Sequence, residues 1–135
     1  MSFDYLNGLY GRERKRKTRF TDLETKAKEL IASFVNGTLS DKEFARAFNE
    51  IGIKFHELSK INGEMIINQD TPLWLNSFLG FHFIDWLRYQ KVKWYFEEHP
   101  EELTPEHKEQ FRNLQKKGYD ERFKVTCKEL LQQLE

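Results

Sequence analysis

The chain has 135 residues, 39% of them hydrophobic, and its 22 basic and 22 acidic side chains cancel to a formal net charge of zero. That length suits one domain with a real core, and the mix of apolar and charged residues fits a soluble globular domain better than disorder. A single cysteine, Cys127, excludes an intramolecular disulfide and any cysteine-based zinc cluster. No apolar run approaches the roughly 18 residues that cross a bilayer, and the N-terminus carries no apolar signal core, so the cytoplasm is the expected compartment.

Residues 1–20 read as an N-terminal arm. Its first half carries Phe3, Tyr5, Leu6, Leu9 and Tyr10, the makings of a short docking helix. Its second half holds Arg12, Arg14, Lys15, Arg16, Lys17 and Arg19, six positive charges against the single negative charge of Glu13. Residues 21–135 read as a helical domain. A first helix is predicted over 22–35, opened by a capping box at Thr21-Asp22-Leu23-Glu24, with Leu23, Ala27, Leu30, Ile31 and Phe34 on its core face. Asn36-Gly37 tolerates positive φ and ends it. Ser40-Asp41-Lys42-Glu43 is a second capping box, opening a helix over 41–60 whose seam is Phe44, Phe48, Ile51, Phe55 and Leu58.

Asn62-Gly63 breaks that helix, and residues 64–70 read as a loop with an extended piece at Met65-Ile66-Ile67. A third helix is predicted from Thr71-Pro72, with the proline at the first helical position, to Glu97 or Glu98. Ten apolar residues between Leu73 and Leu87 point in almost every direction around it. Such a helix is central in the fold or leaves aromatic groups exposed for a partner, a second copy included. Thr104-Pro105 opens a fourth helix over 106–117, with Phe111 and Leu114 on one face, and Gly118 ends it. The fifth, over 120–134, carries Phe123, Cys127, Leu130, Leu131 and Leu134. Five helices with short connections and no credible hairpin signal predict an all-α fold, an antiparallel bundle of about five helices.

Most catalytic signatures are missing: there is no P-loop, no G-x-G-x-x-G, no G-x-S-x-G and no H-E-x-x-H. His82 and Asp85 lie one helical turn apart, but no second ligand set has matching spacing, so neither a metal nor a cofactor is expected. From Glu97 to Glu109 six glutamates face the single positive charge of Lys108, with His99 and His107 among them. Glutamates near a helix N-terminus complement its dipole, which accounts for this cluster without acid–base chemistry, and the chain is not expected to be an enzyme. The basic run is suited to phosphates, with Tyr10 and Phe20 available to stack on bases, although a pI near 6.9 is low for a dedicated nucleic-acid binder.

The segment Phe34-Val35-Asn36-Gly37-Thr38-Leu39-Ser40-Asp41-Lys42-Glu43-Phe44 resembles bacterial self-protective immunity proteins of the colicin D type. In these, an amphipathic helix runs into the pattern Phe-hydrophobic-x-Gly-x-hydrophobic-Ser-x-x-Glu-Phe. The similarity spans about a quarter of the chain, residues 23–55, and continues loosely through an aromatic third helix and a helix opening on T-P-E. It implies a small cytosolic helical bundle that blocks a cognate bacterial toxin by stoichiometric binding. A nuclease-type toxin presents cationic groups meant for phosphate, which an acidic patch would occupy. On that reading the contact residues are Glu97, Glu98, Glu101 and Glu102, with Asp85, Trp86, Tyr89, Trp94 and Tyr95 beside them. The competing expectation is a small nucleic-acid-associated or regulatory protein that uses the basic arm.

Overall fold

The computed structural model describes residues 18–61, 63–65 and 70–134. Helix α1 spans Thr21–Val35 and α2 spans Asp41–Leu58, and between them Gly37 takes a φ of 83°, where a side chain would be strained. The predicted box at Ser40 forms in both directions. Glu43 donates its N–H to the Ser40 hydroxyl (3.2 Å), and Ser40 donates its N–H to the Glu43 carboxylate (3.1 Å). These hydrogen bonds hold the Glu43 carboxyl below its ordinary pKa. Its contribution to stability is therefore present above that ordinary value and lost as pH falls through the lowered one. Ser40→Ala is expected to cost about 1 kcal/mol in denaturant unfolding at neutral pH, a deficit that shrinks in acid once Glu43 is protonated.

The predicted box at Thr21 does not form. Phe20 is 0% exposed and already near-helical (φ −97°, ψ −8°), so it becomes the N-cap and Thr21 falls inside the helix. The Thr21 hydroxyl accepts from the Thr18 N–H instead (2.8 Å), and the Glu24 carboxylate accepts from the Trp74 indole (2.8 Å). Burial of Phe20, with its ring 5.5 Å from that of Phe55, also removes it as a base-stacking residue.

After α2 the chain makes a two-residue pair, β1 (Lys60–Ile61) with β2 (Glu64–Met65), antiparallel, with Lys60 opposite Met65. This small hairpin was not expected. Its signal was Asn62-Gly63, the commonest pair in two-residue hairpin loops, with Gly63 at φ 82°. Ile66 and Ile67 lie outside the described residues.

The long third helix is three pieces in one rod: α3 (Leu73–Ser77), a π-helical segment (Phe78–Phe83) and α4 (Ile84–Glu98). Pro72 is extended (ψ 106°) and serves as N-cap, so the helix starts one residue later than predicted. The π segment explains part of the all-round apolar pattern. In an α-helix Phe78 and Phe83, five apart, would point about 140° away from each other. The wider π turn brings both rings into the core, each 2% exposed. A 3₁₀ turn at Pro100–Glu102 then leads to α5 (Pro105–Gln115) and α6 (Tyr119–Leu134). Thr104 caps α5 as predicted, accepting from the His107 N–H (3.1 Å).

The all-α bundle expected from the sequence is therefore the fold. Its core is an aromatic column contributed by α1, α2, the π segment, α4 and α6. Phe44 stacks on Phe34 (4.4 Å), Trp86 stacks on Phe123 (4.6 Å), and Phe48, Phe78 and Phe83 close the sides. Cys127 is wholly buried, and burial pushes its thiol up to about 12, so it is a small apolar core residue. Helix α5 buries no residue and lies against the bundle through Phe111, whose ring stacks on Tyr89 (5.9 Å).

Candidate partner-binding surface

The end of α4, the 3₁₀ turn and the start of α5 form one acidic corner. Glu97, Glu98, Glu101, Glu102, Glu106 and Glu109 are all exposed on it. What shapes the corner is a set of ring and hydrogen-bond contacts. His99 lies against the Tyr95 ring (4.7 Å) and places Nδ1 3.4 Å from the Glu101 carboxylate. The Tyr95 hydroxyl donates to Glu102, and the Glu102 carbonyl lies 3.2 Å from His107 Nδ1. The His107 ring in turn packs on Phe96 (5.3 Å). Tyr95 and His99 thus hold the carboxylates of Glu102 and Glu101, and His107, packed on Phe96, reaches the backbone at the Glu102 carbonyl.

The hydrogen bond to Glu102, with the charges of Glu102 and Glu101, raises the Tyr95 phenol above its ordinary pKa. The phenol therefore stays protonated and able to donate up to its ordinary pKa and beyond, and the contact is lost only as pH rises through the raised value.

The other expected contact residues divide. Tyr95 is 47% exposed at the corner, and Trp94 is half-buried beside it, packed on the core with the Lys42 ammonium 5.8 Å from its ring centroid. Trp86 is only 1% exposed, the centre of the aromatic core, and its indole donates to Asp120 (3.0 Å). Tyr89 is buried between Phe111 and Tyr119 (5.2 Å from the latter), and burial followed by the charge of Asp120 raises its phenol. Neither ring is available to a partner. Both belong to the inner face of a helix whose outer face was indistinguishable from it by composition.

Asp85 is exposed but sits roughly 18 Å along the helix from Glu97. There it lines a shallow pocket of about 250 Å³ with Phe81, His82 and Arg122, floored by Trp86 and Phe123. Among the described residues no group of three or more His, Cys, Asp or Glu side chains is arranged to hold a metal ion.

Arg12, Arg14, Lys15, Arg16 and Lys17 lie outside the described residues; Arg19 is exposed, its guanidinium 5.7 Å from the Phe20 ring centroid. No described helix is long and apolar enough to cross a membrane.

Sequence reasoning missed the outer stripe of the third helix, where Phe81, Ile84, Val92 and Tyr95 are exposed. Its signal was the spacing of three, eight and three between these residues, hidden because inner and outer faces are both apolar. Compared with known protein families, with curated proteins and with solved structures, the chain matches none.

Proposed function

We propose that this protein binds and neutralises a cognate bacterial toxin domain, presenting the acidic corner to a cationic active site or substrate groove. One observation carries the reading: six exposed carboxylates cluster on one corner, where Tyr95 and His99 orient those of Glu102 and Glu101 and His107 meets the backbone at the Glu102 carbonyl. Carboxylates on a pre-shaped backbone can replace phosphates without a large ordering cost on binding. Their summed field speeds encounter with a basic partner, a useful property when free toxin is lethal. The likeness of residues 34–44 to immunity proteins supports the same reading. Tyr95, exposed beside the carboxylates, supplies an aromatic contact.

The test begins with a tagged pull-down from the native host, treated with nuclease and washed at moderate salt. A toxin domain recovered at equal stoichiometry, whose lethality on expression is relieved by this protein, is the expected result. Recovery of nucleic acid alone, lost after nuclease and on deleting residues 12–19, would replace this reading with one based on the basic arm. With the partner in hand, reversing Glu97, Glu98, Glu101 and Glu102 to lysine is expected to slow association about ten-fold or more at low salt. The difference should shrink as salt rises. An unchanged association rate would remove the corner from the interface.

A further inference from the structure

A groove of about 610 Å³ runs between α2 and the third helix. Gly52, Ile53 and Phe55 line it from α2, and Leu79, Gly80 and Ile84 line it from the third helix. Ile53 and Ile84 are large apolar side chains left exposed there, and a Cβ built on Gly80 would meet nothing within 4 Å. The chain enters the fold beside this groove. Thr21 donates its N–H to the Thr18 carbonyl (3.2 Å) and Thr18 donates its own to the Thr21 hydroxyl (2.8 Å), which fixes the turn where residues 1–17 attach. Phe20, within that turn, packs its ring on Phe55, one of the residues lining the groove.

Residues 1–17 lie outside the described residues, but their sequence has a pattern that matches the groove. On an α-helical wheel Phe3, Tyr5, Leu6, Leu9 and Tyr10 fall within an arc of about 160°, and Asp4, Asn7 and Gly8 occupy the rest. We infer that residues 3–10 dock in the groove between α2 and the third helix as a two-turn amphipathic helix, with Leu6 at the middle of the buried face. The lengths agree. Eight residues of helix span about 12 Å, and the α2 side of the groove, from Asn49 to Glu57, spans about 13 Å. Residues 11–17 reach about 25 Å at full extension, ample for a segment attached beside Phe55. A two-turn helix is not stable alone in water, so it needs a surface to form on. The tether holds it near this groove at an effective concentration in the millimolar range, which a second copy or a separate peptide does not match. Docking there also keeps the basic run away from the acidic corner. Trp94, beside that corner, meets Lys42 at the start of α2, about 20 Å along the helix from Phe55. The inference does not depend on the toxin reading and is tested on the purified full chain alone.

The test pairs Leu6→Cys with Gly80→Cys and follows intramolecular disulfide formation under mild oxidation at low micromolar concentration; the native Cys127 is buried and does not compete. Adding Phe3→Asp and Tyr10→Asp leaves the tether length unchanged and removes the apolar face, so closure is expected to slow about ten-fold or more. These substitutions lie outside the bundle and leave its core intact. Hydrogen exchange of the unmodified chain is expected to show the amides of residues 6–10 protected about ten-fold or more over an unfolded segment. Ile53→Asp, at an exposed position and checked for folding by circular dichroism, should abolish that protection. A closure rate that the two aspartates leave unchanged overturns the inference, as does exchange of residues 6–10 at the unfolded rate. Protection that survives Ile53→Asp would put the segment elsewhere, and protection that grows with protein concentration would put it in the groove of a second copy; either result overturns the inference too.

Discussion

Replacing Trp86 with alanine is expected to remove about 3–5 kcal/mol of stability, the range for emptying a large buried aromatic site. A domain of this kind has about 5–15 kcal/mol in total, so the variant should be largely unfolded in mild denaturant. Two contributions add. The ring stacks on Phe123 at 12° and meets the edges or faces of Phe34, Phe44 and Phe83, each on a different element, so no single helix can shift to fill the gap. The indole N–H also donates to Asp120, whose same oxygen accepts from Gln90 and whose other oxygen lies 3.7 Å from the Lys93 ammonium. Trp86→Phe keeps part of the aromatic packing but loses the hydrogen bond, at about 1–3 kcal/mol, together with some of the indole's buried volume. Urea unfolding followed by far-ultraviolet circular dichroism reads both variants. Equal losses for Phe and Ala would mean that the Asp120 contact, not the aromatic column, is the main attachment of α6 to α4.

Local signals in the chain predicted local structure well wherever a side chain's partner was near in sequence. Ser40 and Glu43 are three apart and find each other, and Thr104 likewise finds the His107 amide. Thr21 and Glu24 have the same spacing and do not pair, because the burial of Phe20 against Phe55, and the indole of Trp74 fifty residues away, decide their conformations. Tertiary contacts of that range leave no local mark. The aromatic third helix shows the same limit on a larger scale. Its composition allowed both a central helix and an exposed one, and the structure makes both true on opposite faces: Trp86 and Tyr89 inward, Phe81 and Tyr95 outward. Trp86 and Tyr89 were expected beside Tyr95 and Trp94 as partner contacts because they lie near the glutamates in sequence, which does not say which side the bundle covers. The acidic corner was legible as a run of charge, while its shape depends on His99, His107, Tyr95 and Phe96, residues whose mutual contacts arise from the turn at Pro100–Glu102.

The π segment makes a sharper test of how the third helix meets its neighbours. A π turn in an α-helical rod is equivalent to one inserted residue, accommodated without rotating the flanking helices. Removing one residue from Phe78–Phe83 should therefore return the segment to α geometry while α3 and α4 keep their orientations. Gly80 is the residue to remove: it is exposed, and a Cβ built on it meets nothing within 4 Å. In the deletion Phe78 and Phe83 become four apart, the α-helical spacing for a shared face, so both rings stay in the core. The expected cost is at most about 2 kcal/mol, within the range of ordinary single changes. Deleting Arg88 is the contrast. It too is exposed, but it lies in regular α-helix, so its loss rotates everything beyond it by about 100° relative to Trp86 and Leu87. Tyr89 then takes the exposed place of Arg88, Gln90 and Lys91 take the two buried places behind it, and the cost should exceed the stability of the domain. Circular dichroism and cooperative thermal unfolding distinguish the two. A Gly80 deletion that is as unfolded as the Arg88 deletion would show that the π geometry itself, not the facing of Phe78 and Phe83, is what the core requires.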